Sequence, residues 1–556
     1  MKSRTKIILV FIILIHLTFI YLSAGQLFYG DETFFLTAAR EVAGGKVTGH
    51  FSQMDGKFIE NPSNMLMHPP TYIYLLSLFI VLFGYSTYSV RAVSALFSIG
   101  VIILIFLITK KILDKENSEN SEELALFAAL LYAISPIAIQ NSILIDIDGG
   151  LLNFFILLFV YLYISKKSSL YLIPALFMIF ASKLTGAVVL FWSLILLSLI
   201  RKDFKESLRV VKLFLISGMA FFIIFFSYTS FFGLDYRPLF THNSAIGLIR
   251  VFLSQPYTNL ARALWGYKVF FYFITPFLFY LFVMVSFFII KNYSKDRDYK
   301  NDKKEIILLW IYPILTFILI FIAGSSGWNF AKYHITAVPF MIILVVYFMP
   351  RNIKNLDKIY WLLTALTLVL FIYLAIFVKD PLIPESAGRL ATVSLFSVIQ
   401  PVIIRFILFG VIPLLLCIPL TRRLPKRKFY LALFFLVLVS SIYIDVIQAK
   451  ADYSTHNLYG DKGLEEVIKY SKEIPPEQIL CYVHLCYFID DKKTWELTTL
   501  YYNKPKLIQI LNDENINYVI LYQKDIDLVG DAFTDFKTDK EIGSYIILKR
   551  TTPKHK

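Results

Sequence analysis

The stretch FYGDETFFLTAAREVAGG, residues 28–45, places two adjacent carboxylates, Asp31 and Glu32, shortly after an apolar run. That run, residues 7–24, follows three basic residues and has the length of a membrane-spanning helix, roughly 20 residues. It resembles a signal peptide, but no clear small-residue cleavage site follows, so we interpret it as a retained first helix. The acidic pair either caps the next helix or serves as a catalytic base beside a bilayer.

The composition is that of a protein that crosses the membrane many times. Of the 556 residues, 57% are hydrophobic and only 17% are charged, which excludes an ordinary soluble domain. Lys183 lies between two apolar runs and predicts a break in what would otherwise be one long helix. The apolar runs predict thirteen spans, at residues 7–24, 88–109, 124–142, 149–165, 169–182, 184–200, 210–232, 269–290, 306–323, 335–349, 360–378, 402–420 and 429–448.

The charges of the loops predict which side of the cell membrane each loop faces. With a cytoplasmic N-terminus, alternate loops are all rich in Lys or Arg, as the positive-inside rule requires. These loops are KKILDKENSEN (110–120), KK (166–167), RKDFKES (201–207), KNYSKDRDYKNDKKE (291–305), RNIKNLDK (351–358) and RRLPKRK (422–428). The chain carries a net +15, and the tail from residue 449 onward has 15 Lys plus Arg and 17 Asp plus Glu, a net −2. The membrane part therefore carries +15 − (−2) = +17, which the cytoplasmic loops explain without a nucleic-acid partner.

The tail, residues 449–556, reads as a small extracytoplasmic α/β domain after a membrane domain at residues 1–448. KGLEEVIKYSKEI (462–474) has helical spacing, and QILCYVHLC, INYVILYQ and SYIILKR have the composition of strands. Cys481 and Cys486 could form a bridge, or a metal pair with His484, but a plain buried strand is the favoured interpretation.

The first outer loop, residues 25–87, is expected to hold the catalytic carboxylates and an interfacial helix within MHPPTYIYLLSLFIVLFG (67–84). Other ionisable residues fall on the same side of the predicted topology. Because charges at membrane depth are costly, they are functional candidates, although lysines can also reach lipid phosphates and Arg91 can pair with a loop carboxylate. The candidates are Arg91, Asp146, Asp148, Lys183, Arg237 and Lys332, together with His68 before a proline pair.

Carboxylates and cations on one face suit a specific chemistry. A carboxylate can deprotonate an acceptor hydroxyl while cations stabilise a leaving phosphate. A nucleotide donor would be scarce outside the cell, whereas a lipid phosphate is presented by the membrane itself. The residues therefore predict transfer from a lipid-linked phosphate. No His/Glu spacing indicates a catalytic metal, and we expect a site that needs no cofactor.

An ordered series of segments resembles the GT-C glycosyltransferases, and within them the protein O-mannosyltransferase and aminoarabinose transferase group. The series comprises YGDETFFLTAAREVAGG (29–45), HPPTYIYLLSLFIVLFGYSTYSVRAVSALFSIGVIILIFLITKKI (68–112), SPIAIQNSILIDIDGG (135–150) and ASKLTGAVVL (181–190). Further along, KYHITAVP (332–339) resembles the family's Arg-Tyr helix start, with Lys332 in place of the arginine and Tyr333 as the tyrosine.

The resemblance implies an all-α bundle of about a dozen or more helices with interfacial helices in its first outer loop. It implies an enzyme that transfers a sugar, for example a hexose such as mannose, from a polyprenyl or dolichyl phosphate. It also implies that Asp31 is the base and Asp148 the supporting carboxylate, with Asp146 close enough to compete. His68 stands where relatives often have a lysine that contacts the donor phosphate, a departure that raises the interest of Lys183 and Lys332.

Other functional classes remain open at this point. The acceptor could be a hydroxyl of a protein, a glycan or a lipid. A transporter would place its charges near the midplane, often within inverted repeats, and no repeat is visible in this sequence. A non-catalytic scaffold would keep the fold but tolerate loss of the carboxylate, which this chain retains.

Overall fold

The computed structural model describes parts of the helical region up to residue 348 and most of the tail. The described residues are 3–24, 28, 31–47, 66, 68–116, 118, 120–241, 278–279, 281–283, 285–286, 289–290, 303–324, 331–348, 463–490, 494–497, 504–513, 515–526 and 530–552. Three predicted spans, 360–378, 402–420 and 429–448, and the domain boundary at residues 448/449 lie outside them. Most of the predicted span 269–290, most of the predicted basic loop 291–305 and all of the predicted basic loops 351–358 and 422–428 also lie outside them.

Helices dominate the described residues. They are α1 Ser3–Ser23, α2 Asp31–Ala43, α3 Thr71–Phe83, α4 Thr87–Lys115, α5 Ser121–Ala133, α6 Pro136–Ile143, α7 Asn153–Ile164, α8 Ser169–Ser182, α9 Leu184–Ile200, α10 Phe204–Phe232, α11 Arg237–Thr241, α12 Lys304–Gly324, α13 Val338–Tyr347, α14 Leu464–Ser471, α15 Val483–Asp490 and α16 Lys504–Asp513. A π-helical turn, Asp148–Leu152, precedes α7, and a 3-10 turn, Ala331–His334, precedes α13.

The chain is a multi-pass membrane protein. Four described helices, α1, α4, α10 and α12, are long and apolar enough to cross a bilayer, and the bent pair α5–α6 makes a fifth if it counts as one span. Several others are apolar but shorter than a full crossing. The predicted total of thirteen spans is not confirmed.

Two compact units make up the chain. The first comprises Met1–Gly25, Arg91–Phe225 and Asn243–Ala451, and the second comprises Gln26–Val90, Phe226–His242 and Asp452–Lys556. In the first unit, α13 is buried along its length and packs against α5 and α12, while α12 also packs against α9. An all-apolar helix such as α13 belongs in the centre of a bundle, because it has no polar face for a headgroup or water.

Buried polar contacts tie the first helices of this unit together. The ring of His16, in α1, is fully buried, and its Nδ1 lies 2.7 Å from the carbonyl oxygen of Ala133. Its Nε2 lies 3.1 Å from the hydroxyls of both Ser98 and Ser142. One imidazole thus joins α1 to α4, α5 and α6, because a buried polar ring is stable only when its nitrogens find partners.

The structure differs from the predicted spans and loops in two details. The run 124–142 is not one helix: it breaks between α5 and α6 and bends by 60°, because a proline at position 136 removes a helix hydrogen bond and disfavours helix in the residue before it. The basic loops 110–120 and 201–207 are partly helical, since α4 continues to Lys115 and α10 already begins at Phe204. The predicted break at Lys183 is confirmed, because α8 ends at Ser182 and α9 begins at Leu184.

The second unit contains helices of the first outer loop and the tail domain. Within it, α2 packs against α3, with the rings of Phe35 and Tyr72 edge to face at 5.4 Å. The helix α3 confirms the predicted helix in 67–84; its 13 residues span roughly 20 Å, less than a bilayer core. Its placement along the interface stays a prediction.

The tail folds into a five-stranded mixed sheet with helices. The strands are β1 Ile479–Cys481, β2 Trp495–Glu496, β3 Tyr518–Tyr522, β4 Phe536–Ile542 and β5 Tyr545–Arg550, in the order β2-β1-β3-β5-β4. β1 runs parallel to β2 and β3, while β5 is antiparallel to β3 and β4. The predicted α/β character is confirmed, and the predicted helix corresponds to α14, which buries Leu464, Val467 and Ile468.

The interpretation of CYVHLC as one continuous strand is wrong. The strand β1 ends at Cys481 and the helix α15 starts at Val483. This turn brings the two cysteines together, and they form a disulfide with the Cα atoms 5.9 Å apart. In a continuous strand residues 481 and 486 would lie much farther apart, roughly 17 Å, so only the turn permits the bridge.

Candidate active site

The four-residue link between α6 and the π-helical turn carries the carboxylate of Asp146, and the turn itself begins with Asp148. Leu144 leaves α6 in an extended conformation, and the hydroxyl of Ser94, in α4, donates to the carbonyl oxygen of Leu144 at 2.8 Å. Both carboxylates are buried, with Asp146 6% and Asp148 4% exposed. A π-helical turn is uncommon and occurs often at functional sites.

Two glycines let this turn lie against its neighbours. A Cβ atom at Gly149 would lie 2.3 Å from Cβ of Asn141 and 2.7 Å from its carbonyl oxygen. A Cβ atom at Gly150 would lie 3.2 Å from Cα of Ser94. Any larger residue at the first position would push the turn away from α6, so the Asp-Gly-Gly sequence permits the close approach that buries Asp148.

Each buried carboxylate has a lysine partner from a different part of the chain. The ammonium of Lys183, at the break between α8 and α9, donates to both oxygens of Asp148, at 2.7 and 2.9 Å. The ammonium of Lys332, in the 3-10 turn before α13, donates to Asp146. Neither lysine simply reaches outward to lipid headgroups: both are held by carboxylates in the interior of the first unit.

An aromatic ring lies against both cations. The ring centroid of Tyr333 is 4.7 Å from Nζ of Lys183 and 5.3 Å from Nζ of Lys332. The negative face of an aromatic ring attracts cations within about 6 Å. We call these five residues, Asp146, Asp148, Lys183, Lys332 and Tyr333, the charge cluster.

The charge cluster brings two carboxyl groups and two ammonium groups together in a desolvated place. Burial raises the pKa of Asp146, but the ammonium groups of Lys332 and Lys183 outweigh burial and hold that pKa well below its usual range. Asp146 therefore stays ionised at neutral pH. An ammonium has three N–H donors, so pairing with one carboxylate leaves Lys183 able to donate to a further anion.

Arg91 also lies in the first unit and is almost fully buried. Its Nη1 donates to the carbonyl oxygen of Ala24 at 2.9 Å, which ties the start of α4 to the end of α1. A contact between Arg91 and the substrate stays a prediction.

The remaining candidates belong to the second unit. Asp31 is the first residue of α2, and Glu32 follows it with only 2% of its surface exposed. His68, before the proline pair, is partly buried. Arg237 is exposed and pairs with Asp235 through Nε at 2.9 Å and Nη2 at 2.8 Å, and these hydrogen bonds hold the pKa of Asp235 below its usual range.

The structure thus brings together Asp146, Asp148, Lys183, Lys332 and Tyr333, and places Asp31, Glu32, His68 and Arg237 in the other unit. The role of Gly149 and Gly150 was not predicted, although two glycines directly after a carboxylate indicate a close backbone approach. Among the described residues, no group of three or more His, Cys, Asp or Glu side chains could hold a metal ion.

Comparisons with known proteins agree with this architecture. Residues 67–230 match the family model of the dolichyl-phosphate-mannose-protein mannosyltransferases. The crystal structure of ArnT from Cupriavidus metallidurans bound to undecaprenyl phosphate is similar at a TM-score of 0.57 and 12% identity, over 97% of this chain and 97% of that chain. ArnT in the apo state is similar at a TM-score of 0.53, with the same identity and coverage. No curated protein sequence matches.

At 12% identity the structural likeness establishes the fold, and the family model adds a likeness of sequence over a segment that contains Arg91, Asp146, Asp148 and Lys183. These two matches confirm the resemblance that the sequence predicts, to the GT-C glycosyltransferases and, within them, to the protein O-mannosyltransferase and aminoarabinose transferase group.

Proposed function

We propose that this protein is a GT-C glycosyltransferase that moves a sugar from a polyprenyl phosphate to a hydroxyl group on the outer face of the membrane. The observation that carries the proposal is the charge cluster, in which two lysines are held beside two buried carboxylates in a bundle of this fold. Ionisable groups held largely out of water are costly, and a chain that keeps four of them together has a use for them.

The lysines suit a leaving phosphate. When the bond from the sugar to the phosphate breaks, negative charge grows on the phosphate oxygens, and cations fixed nearby stabilise that charge more than they stabilise the starting donor. Lys183 and Lys332 are oriented by Asp148 and Asp146 before any substrate arrives. His68 and Arg237 are additional contacts for the donor in this proposal, and Tyr333 keeps both ammonium groups in place.

The chemistry is a single displacement with inversion. The acceptor oxygen attacks the anomeric carbon, the bond between that carbon and the phosphate oxygen breaks, and polyprenyl phosphate leaves with the bonding electrons. The acceptor proton passes to the carboxylate of Asp31. Asp31 suits this role because it opens α2 next to the buried Glu32, and a positioned carboxylate is a common general base.

The nature of the sugar, the lipid and the acceptor rests on the family likeness. The matching family model is named for dolichyl phosphate mannose and for protein acceptors, which favours a hexose such as mannose. The similar solved structure contains undecaprenyl phosphate, which favours a polyprenyl phosphate carrier. The acceptor is a hydroxyl of a protein, a glycan or a lipid.

The experiment that tests the proposal uses the purified full-length chain, a polyprenyl phosphate that carries a radiolabelled sugar, and a membrane extract that supplies acceptor hydroxyl groups. The expected result is time-dependent release of the label from the lipid, with stoichiometric formation of polyprenyl phosphate. If the labelled lipid moved across vesicle membranes and stayed intact, the protein would be a transporter. If the lipid bound and neither reacted nor moved, the protein would be a non-catalytic scaffold.

A further inference from the structure

A cavity of about 340 Å³ opens between α8 and α10 in the first unit. Ser169 and Ile173 line it from α8, and Lys205, Arg209 and Lys212 line it from α10. The three basic residues are four and three positions apart, so they share one face of α10. No acidic residue is among the residues that line it.

The basic residues of the cavity keep a net positive charge, because two of the three have no acidic partner among the described residues. Lys205 and Lys212 are exposed, and neither forms an ion pair with a described residue. Arg209 forms an ion pair with Glu206 at 3.4 Å. The carboxylate of Glu206 also accepts a hydrogen bond from the hydroxyl of Tyr163 at 2.8 Å. Two free ammonium groups and one guanidinium therefore face a space of the size of a small headgroup.

The cavity lies far from the charge cluster. The helix α7 leads from the π-helical turn that begins at Asp148 to Tyr163, which contacts Glu206 beside the cavity. At ~1.5 Å per helical residue, the two places are roughly 20 Å apart along the helix axis. A ligand in this cavity is therefore separate from a donor bound at the charge cluster.

Exposed apolar surface accompanies the basic residues along α10. Leu208 and Ile216 line the cavity and are 56% and 48% exposed, although both are large apolar residues. Such exposure in a helix long enough to span a membrane indicates contact with lipid tails. Basic residues at the end of a span, followed by an apolar surface, match the two halves of an anionic phospholipid.

We propose that this cavity, between α8 and α10, binds the phosphate headgroup of an anionic phospholipid, with its acyl chains against the exposed apolar face of α10. Lys205 and Lys212 contact the phosphate, and Arg209 contributes a bidentate donor. The inference stands apart from the proposed transfer reaction, because none of these residues belongs to the charge cluster.

Native mass spectrometry of the purified full-length chain tests the proposal, with phosphatidylglycerol and phosphatidylcholine offered at equal concentration. The unmodified chain is expected to retain phosphatidylglycerol preferentially. The double variant Lys205→Ala/Lys212→Ala is expected to bind it about thirtyfold more weakly, the effect of removing two interfacial charges. Ser169→Trp, which fills the cavity and changes no charge, is expected to weaken retention similarly.

The matched control is Lys111→Ala/Lys202→Ala, which removes the same charge from exposed positions that do not line the cavity. It is expected to retain phosphatidylglycerol as the unmodified chain does. Equal losses in the control and in the cavity variant would overturn the proposal, since general charge would then suffice. Unchanged retention in Ser169→Trp, or displacement of the lipid by soluble glycerol phosphate at the same concentration, would also contradict a lipid site in this cavity.

Discussion

At the scale of single residues, the ion pair of Asp148 with Lys183 is expected to contribute both to the stability of the fold and to donor binding. Removal of one partner leaves a buried charge without compensation, which typically costs about 3–5 kcal/mol. We therefore expect Lys183→Ala to lower the unfolding temperature of the purified chain and to weaken donor binding more than acceptor binding, because the lysine is proposed to contact the donor phosphate. Equilibrium binding of polyprenyl phosphate measures the second effect.

A double replacement separates stability from function at the same pair. Asp148→Leu/Lys183→Met removes both charges and fills a similar volume, a change that is often neutral or stabilising for a buried ion pair. We expect this variant to recover much of the stability that Lys183→Ala loses, but none of the sugar release. If it recovered turnover as well, the pair would be structural only.

The proposed base makes a different prediction. Asp31→Asn removes the proton acceptor but keeps the shape of the side chain, so turnover is expected to fall by about 10²–10⁴-fold while donor binding stays nearly intact. The matched control is Glu41→Gln in the same helix, where the carboxylate already pairs with exposed Lys46 at 2.6 Å. Near-normal turnover in Asp31→Asn would identify the acidic pair as a helix cap and move the base to Asp146 or Asp148.

The sequence predicted the members of the charge cluster but not their partners. Residue type and topology placed Asp146, Asp148, Lys183 and Lys332 on one side of the membrane, because each lies next to the predicted outer end of a span. Which lysine pairs with which carboxylate depends on how the helices pack. Lys183 and Asp148 are 35 positions apart in the chain, and Lys332 and Asp146 are 186 positions apart. Hydrophobic periodicity carries no information about such long-range contacts.

At the scale of elements, the π-helical turn depends on the space beside Gly149. Gly149→Ala would place a methyl group 2.7 Å from the carbonyl oxygen of Asn141, and backbone atoms on both sides cannot yield easily. We expect a loss of stability and of sugar release, because the turn that presents Asp148 must move. Thermal unfolding and the release assay measure the two effects.

The matched control is a glycine inside another helix of the same unit. A Cβ atom at Gly218, in α10, would lie 3.5 Å from the ring of Phe180, an ordinary contact. Alanine favours helix over glycine by roughly 1 kcal/mol, so Gly218→Ala is expected to be neutral or stabilising. Equal damage from both substitutions would mean that the close approach at Gly149 has no special role.

The helix that carries Asp31 is held by the tail domain, within the second unit. Phe34 of α2 packs against the tail core, and Arg40 lies over the ring of Tyr487 at 5.7 Å from its centroid. Phe28, just before α2, stacks on Phe488 with the centroids 6.5 Å apart. The disulfide joins the last residue of β1, Cys481, to Cys486 inside α15. The same helix carries Tyr487 and Phe488.

We therefore expect Tyr487→Ala to lower turnover about tenfold or more through a shift of α2, because small displacements of a catalytic group are costly. Donor binding should change little, since Lys183 and Lys332, the main donor contacts of the proposal, belong to the first unit. Tyr487→Phe is the control: the buried hydroxyl has no hydrogen-bond partner in the described part of the chain, so its removal should be harmless. Loss of turnover in the phenylalanine variant would contradict a role through packing.

Element boundaries show where sequence patterns stop being informative. The ends of α4 and α10 extend into basic segments predicted as loops, because Lys and Arg are good helix formers and their charges reach the interface on long side chains. The tail helix α15 was hidden in a strand-like sequence, since β-branched and aromatic residues fit either structure when buried.

At the scale of the whole molecule, the first outer loop and the tail form one compact unit although hundreds of residues separate them. Chain order predicted a membrane domain followed by a separate tail. The grouping arises from aromatic contacts such as that of Phe28 with Tyr487, 6.2 Å between centroids. Since both segments are predicted to face outward, their association agrees with the expected topology.

The topology is the last prediction: the N-terminus is cytoplasmic and the tail extracytoplasmic. The loops that the positive-inside rule assigns to the cytoplasm are basic, whereas the tail carries a net −2. The disulfide between Cys481 and Cys486 supports the same orientation, because such bonds persist in oxidising compartments and are rare in the cytosol. Two exposed lysines, Lys111 at the end of α4 and Lys537 in β4, provide positions for labels.

A membrane-impermeant thiol reagent applied to intact cells is expected to label Lys537→Cys and to leave Lys111→Cys unlabelled until the membrane is permeabilised. The two positions are both exposed, so a difference in labelling reports the side of the membrane and not burial. The reverse pattern would place the charge cluster on the cytoplasmic face, where nucleotide-linked sugars are plentiful, and would remove the reason to expect a lipid-linked donor. Equal labelling of both positions in intact cells would contradict an odd number of crossings between them.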